Sequence, residues 1–178
     1  FIVYRPSFGY HTLIAGYPWF LDWGRDALIS FEGLLLMTKQ YKIAKDVLLT
    51  LIRDIKFGLV PNGYSGYDNR PLYNSVDSSF LLFEQVNKFL KYTGDYEFIE
   101  QKLYKKMKSI IENYSEGIDF DDNNIHLEKD GLISSGTENT QNTWMDAKYG
   151  NHSFTPRNGK AVEVNSLWYN SLKIMENL

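Results

Sequence analysis

The sequence predicts a mainly α fold built from antiparallel helix pairs, and three observations predict it. Apolar residues recur at helical spacing in five segments. Successive segments group into pairs of roughly 40 residues, the length of a helix, a turn and a helix that returns beside it. The stretches between them are long, irregular and rich in Gly, Pro, Asn and Tyr. This pattern belongs to an α/α toroid or a helical solenoid, although no strict sequence repeat is present.

Residues 1–15 alternate weakly, as in FIVYRP and YHTLIA, and predict one or two strands. The first helix carries Leu28, Phe31, Leu34, Leu35 and Thr38 on one face, with Asp26 placed to interact with its first turn. The second runs from Tyr41 to Phe57, with Ile43, Val47, Leu48, Leu51, Ile52 and Ile55 on a broad face, and Gly58 closes it. Gly58 to Ser75 then reads as a long loop, and long loops inside compact domains tend to be functional. A third helix spans Asp77 to Lys91, capped by Ser75 or Asp77. The TGD turn leads into a fourth that ends near Glu116. Lys102, Lys105, Lys106 and Lys108 lie on that helix as a solvated outer face. A β-hairpin is expected over 118–136, turning at Asp122-Asn123-Asn124. A polar, aromatic, irregular segment follows, and a fifth helix starts near Val162.

The chain has 178 residues, room for one domain, of which 43% are hydrophobic and 23% charged. A net charge of −3 gives no reason to expect nucleic acid or an anionic membrane as a partner. There is no cysteine, which excludes disulfides and thiolate sites and fits a reducing, cytoplasmic setting. No run of ~18 apolar residues suggests a membrane span. His11, His126 and His152 lie far apart with no i,i+3 or i,i+4 pairing, so neither metal nor cofactor is called for. GYSGY lacks the GK[ST] of a phosphate loop, and no G-x-S-x-G marks a serine hydrolase.

PWFLDWGRD packs three aromatics, two aspartates and an arginine into nine residues. Trp19 and Trp23 suit the apolar faces of sugar rings. Arg25 offers a rigid fork of donors, and Asp22 and Asp26 accept from vicinal hydroxyls. A capped helix start with a buried Arg–Asp pair explains the same residues. Asp146, in TWMDAKYG, sits among Trp144, Met145 and Tyr149. Apolar walls would disfavour its charge and make it a proton donor, while a turn-forming aspartate is the plainer alternative. Asp77 and Glu163 stand at helix starts, where stabilisation of the helix end also accounts for them. Asn165, Trp168 and Tyr169 follow Glu163 and suit the wall of a cleft.

AGYPWFLDWGRDALISFEGLLL resembles the start of the C-terminal catalytic domain of glycogen debranching enzymes, the glucoamylase-like amylo-α-1,6-glucosidase family. GLVPN, YNSVDSS, YTGD, TWMDAKYG and TPRNGKAVEVNSLWYNSL continue the match in order over nearly the whole chain. The resemblance implies an (α/α)6 barrel, of which this chain would form a part, with a short hairpin insertion near 118–136. Residues 1–15 would connect from an N-terminal domain, and residues 16–178 would be the first, truncated part of the barrel. It implies hydrolysis of an α-1,6-linked glucose at branch stubs of glycogen or a related branched α-glucan, with inversion. Asp146 matches the general acid. Arg25 and Asp26 match the pair that holds the terminal glucose, with Trp23 beside them. Asp22, Trp144, Asp77 and Glu163 are further substrate-binding candidates. The general base of this barrel class comes from its second half, so the fragment alone is expected to be inactive and to need the missing segments of its polypeptide as partners. A glucoamylase-like α-1,4-glucosidase and a non-catalytic helical carbohydrate-binding module remain as other readings.

Overall fold

The computed structural model describes residues 1–66 and 68–178. Tyr67, inside the expected 58–75 loop, lies outside the described residues.

An antiparallel hairpin opens the chain, β1 (Ile2–Arg5) paired with β2 (Tyr10–Leu13), in the register Ile2 to Leu13. Leu13 enters the core, and Thr50 Oγ1 donates to the His11 carbonyl at 3.1 Å, so the hairpin is docked on the helices. Helix α1 (Gly24–Phe31) runs directly into a π turn, Glu32–Leu36. The π turn inserts an extra residue into the helical repeat. Leu35 and Leu36 are therefore both buried, Leu34 packs half-buried against the core, and only Thr38 of the expected face is turned outward.

Helix α2 (Tyr41–Arg53) stops four residues before the predicted end at Phe57. Its terminus is held from outside: Tyr73 donates its hydroxyl to the Asp54 carbonyl at 2.7 Å, and Tyr64 donates to Asp54 Oδ2 at 3.0 Å. Phe57 and Gly58 both have positive φ, so the chain has already reversed where the sequence placed the stop. The expected loop then contains a small hairpin, β3 (Gly63–Tyr64) with β4 (Pro71–Leu72).

Helix α3 (Ser78–Thr93) is the centre of the packing, against α1, α2 and the last helix. It ends at Gly94, whose φ of +67° is a left-handed cap that a side chain would oppose. Asp95 caps the next turn, accepting from Phe98 N at 3.0 Å. The fourth predicted helix is one helical run in three pieces: α4 (Tyr96–Phe98), a π turn (Ile99–Leu103) and α5 (Tyr104–Glu116), with its lysines exposed.

The 118–136 segment makes two reversals. Ile118 bridges Ile125 around the expected turn, where Asp121, Asp122 and Asn124 adopt positive φ. The named hairpin follows, β5 (His126–Leu127) with β6 (Ile133–Ser134), and turns at 128–132. A further hairpin pairs β7 (Lys148–Tyr149) with β8 (His152–Ser153), and α6 (Val162–Asn177) follows.

The core runs from Leu28, Phe31 and Leu48 through Phe80, Phe83 and Phe89 to Met107, Ile110 and Val164. Phe80, Tyr114 and Trp168 join α3, α5 and α6, with ring centroids 4.5 Å (Phe80–Tyr114) and 5.5 Å (Phe80–Trp168) apart. The buried Tyr114 hydroxyl donates to the Val76 carbonyl at 2.9 Å, so this aromatic block supports the irregular segment that leads into Asp77. The fold is mainly helical with short hairpins, as the sequence predicts. Among the described residues no helix is long and apolar enough to cross a membrane.

Candidate functional site

Arg25 organises the site. It lies in the first turn of α1, and the turn is fixed by main-chain bonds: Gly24 N donates to the Asn62 carbonyl at 2.7 Å, and Trp23 bridges Gly63. A Cβ at Gly24 would sit 2.2 Å from the Pro61 carbonyl oxygen, so only glycine allows this approach. The Trp23 indole lies half-buried against the bare backbone of Gly63.

The guanidinium is nearly saturated. Nε donates to Asp77 Oδ2 at 2.9 Å and Nη2 to Asp77 Oδ1 at 2.9 Å, a bidentate fork. Nη2 also reaches Ser75 Oγ at 3.2 Å, and Nη1 donates to Asp146 Oδ2 at 2.9 Å. Ser75 Oγ in turn donates to Asp77 Oδ1 at 2.7 Å. Burial alone would push the guanidinium down. Asp77 and then Asp146 outweigh it and hold Arg25 above its ordinary value.

Four sequence-predicted residues thus meet here: Arg25, Asp26, Asp77 and Asp146. Asp77 precedes α3 but makes no side-chain cap bond. Its carboxylate is 5% exposed and spent on Arg25 and Ser75, so ion pairing rather than helix-end stabilisation explains it. Asp146 is not walled by apolar groups. Its carboxylate faces the guanidinium, its side chain is 38% exposed, and Oδ1 has no hydrogen bond among the described residues. Trp144 nearby in sequence is exposed.

Within this cluster Asp26 is the carboxyl whose titration is displaced upward. Its side chain reaches solvent, yet the surrounding protein strips enough water to raise its pKa above 3.8. Arg25 opposes the rise and Asp146 adds to it. A carboxyl whose pKa is raised by folding favours the folded state when protonated, and that contribution is lost as pH rises through the folded pKa. Asp26→Asn should therefore raise the Tm at pH 7. The gain should shrink as pH falls through the carboxylate range; a pH-independent offset in thermal melts at pH 3.5 and 7 would count against this environment.

Other candidates lie elsewhere. Asp22 accepts from Arg5 Nη1 at 3.1 Å, in a cluster where Arg53 stacks 3.6 Å from the Phe8 ring centre. It pairs with the guanidinium that β1 delivers, so it joins β1 to the WGRD loop and not the Arg25 cluster. Glu163 pairs with Arg157. Asn165 docks β6, accepting from Ile133 N at 2.7 Å and donating to Ile133 O at 2.9 Å, while Trp168 donates to the Gly131 carbonyl at 3.2 Å. These two hold the hairpin on α6, and Asn165 also lines a cleft there with Leu132, Val162 and Tyr169. Ser75, read from the sequence only as a cap, is a member of the Arg25 cluster. Its two-residue spacing from Asp77 was the available signal.

The arrangement offers a partly exposed carboxylate held by a buried cation and a second carboxyl biased toward its protonated form, with the half-buried Trp23 at the start of the same helix. The chain is 27% identical over 226 aligned residues to the glycogen debranching enzyme of Saccharomyces cerevisiae. That match covers 96% of this chain and 15% of the relative, so the chain spans a small part of that protein's length. The family model described as amylo-alpha-1,6-glucosidase matches residues 1–178 from end to end. The chain belongs to the amylo-alpha-1,6-glucosidase family.

Proposed function

We propose that this chain is part of a glycoside hydrolase that releases α-1,6-linked glucose from the branch stubs of glycogen or a related α-glucan. The observation that carries the reading is the Arg25 clamp on Asp77 and Asp146. It orients Asp146 through one oxygen at 2.9 Å and leaves the other open on the solvent side of the cluster. Asp146 acts as general acid, while Trp23, Arg25 and Asp26 form the wall that receives the terminal glucose.

An inverting mechanism needs a second carboxylate ~6.5–9.5 Å away, with room for water. Asp77 is buried and consumed by Arg25, and Glu163 is paired to Arg157 with no bond to the Arg25 cluster among the described residues. This supports a base contributed from outside residues 1–178, within the remainder of an (α/α)6 barrel of which residues 16–178 are the first part and residues 1–15 the lead-in. The raised titration of Asp26 favours a second reading in which Asp26, not Asp146, holds the transferable proton.

The test offers the full-length polypeptide containing this chain a branched limit dextrin and, separately, maltose, and follows free glucose. Release from the dextrin alone is expected. Release from maltose would make it an α-1,4-glucosidase, and binding without release would make it a carbohydrate-binding module.

A further inference from the structure

A second arginine grips the loop that carries Trp23. Arg5 ends β1, and its side chain is only 20% exposed. Nη1 donates to Asp22 Oδ1 at 3.1 Å, and Nη2 donates to Asn69 Oδ1. Asp22 immediately precedes Trp23. Asn69 lies in the turn of the β3–β4 hairpin, where its N–H donates to the Ser65 carbonyl at 3.0 Å. The Trp23 indole rests on that same hairpin: a Cβ added at Gly63 would come within 3.0 Å of it. One guanidinium therefore ties the residue before the indole to the hairpin against which the indole packs.

The surroundings hold Arg5 to this task. Phe8 takes two guanidiniums against its ring, with Arg5 Cζ 4.7 Å and Arg53 Cζ 3.6 Å from the ring centre, and it packs on Tyr64 at 4.9 Å. Arg53 donates from Nε to Asp54 Oδ2 at 3.0 Å, which leaves Asp22 to Arg5. Asp22 is 3% exposed, and its Oδ2 is buried without a hydrogen bond among the described residues. Without Arg5 that carboxylate would be buried and unpaired, and it would have to shift to regain a partner. The main chain carries such a shift to the indole, because Asp22 bridges Ile14 and the next residue, Trp23, bridges Gly63. Arg5 makes no hydrogen bond to Arg25, Asp26 or Asp146 among the described residues.

We propose that Arg5 is a positioning residue for sugar binding: through Asp22 and Asn69 it sets the angle of the Trp23 indole, and so the affinity for the terminal glucose, without taking part in proton transfer. This rests on the reading of Trp23 as part of the wall that receives that glucose.

The experiment measures KM and kcat for glucose release from a limit dextrin, and the calorimetric Kd for isomaltose. It uses the full-length polypeptide and its Arg5→Ala, Asn69→Ala and Asn69→Asp variants. Arg5→Ala and Asn69→Ala should each raise KM and Kd roughly tenfold with kcat nearly unchanged, the signature of lost binding shared by ground and transition states. Asn69→Asp should stay near the parent, since aspartate keeps the acceptor and tolerates the φ of +56° at this position. An arginine that only stabilised the fold would lower the active fraction, cutting apparent kcat while KM and Kd stay put; that result overturns the proposal. Equal effects of Asn69→Ala and Asn69→Asp would overturn it as well. Asn69 is exposed, so its variants decide the matter even if Arg5→Ala does not fold. A parent that binds isomaltose but releases no glucose loses the hydrolase reading alone, and the Kd values then judge Arg5. A parent that does neither overturns both.

Discussion

Arg25→Ala should lower the stability of the chain to urea by about 3–5 kcal/mol, the range for removing one partner of a buried pair. Arg25 and Asp77 expose only 8% and 5% of their side chains, so water cannot replace the lost partner. Asp77 would keep one hydrogen bond, from Ser75 Oγ at 2.7 Å, against the three contacts of 2.9 to 3.1 Å that Arg25 supplies. The loss should therefore belong to the stranded carboxylate more than to the missing arginine. The double variant Arg25→Ala/Asp77→Ala separates these contributions: recovery of part of the loss is expected, since both charges are then gone. Arg25→Lys should fall between, because an ammonium keeps the charge but cannot make the fork. If Arg25→Ala unfolds within ~0.5 kcal/mol of the parent, the size of an ordinary surface change, the buried clamp is not what holds α1 to α3.

Asp146→Asn, made in the full-length polypeptide, should cut glucose release from a limit dextrin by roughly 10²–10⁴-fold, the usual weight of a proton donor. That corresponds to about 2.7–5.4 kcal/mol of activation free energy. Its effect on folding should be much smaller, ~0–1 kcal/mol, because the pair with Arg25 is more than a third exposed on the aspartate side. The asparagine carbonyl can still accept from Nη1, so KM should hold while kcat falls. Asp26→Asn is the necessary companion. If it abolishes turnover while Asp146→Asn leaves it near normal, the proton resides on Asp26.

The helices were legible where their signals are local. Apolar spacing locates α1, α2, α3, α5 and α6, and Gly94 marks the end of α3. What escaped the sequence is set by distant contacts. The end of α2 at Arg53 depends on the hydroxyls of Tyr64 and Tyr73, which arrive from a later segment. The π turn after Phe31 leaves no periodic mark beyond two adjacent buried leucines. The site divides the same way. WGRD and WMDA identify Arg25 and Asp146, but these lie 121 residues apart, and no spacing rule pairs them. Asp77 reads locally as a helix cap, and only its contact with Arg25, 52 positions away, shows its role. Asp22 reads as a sugar acceptor because it shares a motif with Arg25, yet Arg5 takes it.

The bonds that place Arg25's neighbourhood run from main chain to main chain: Gly24 N to the Asn62 carbonyl, Asn62 N to the Leu72 carbonyl, Val76 N to the Asn142 carbonyl. Any residue but proline can supply such a donor, and every residue supplies the acceptor. The frame around the clamp is thus written in backbone and carries little side-chain information. Ser75 and the two tyrosines that hold α2 aside, sequences can drift across 59–76 and 140–145 without moving the guanidinium, provided position 24 stays bare. Divergence in this family should then be read by what it spares: one glycine, one arginine and the carboxylates that the arginine holds.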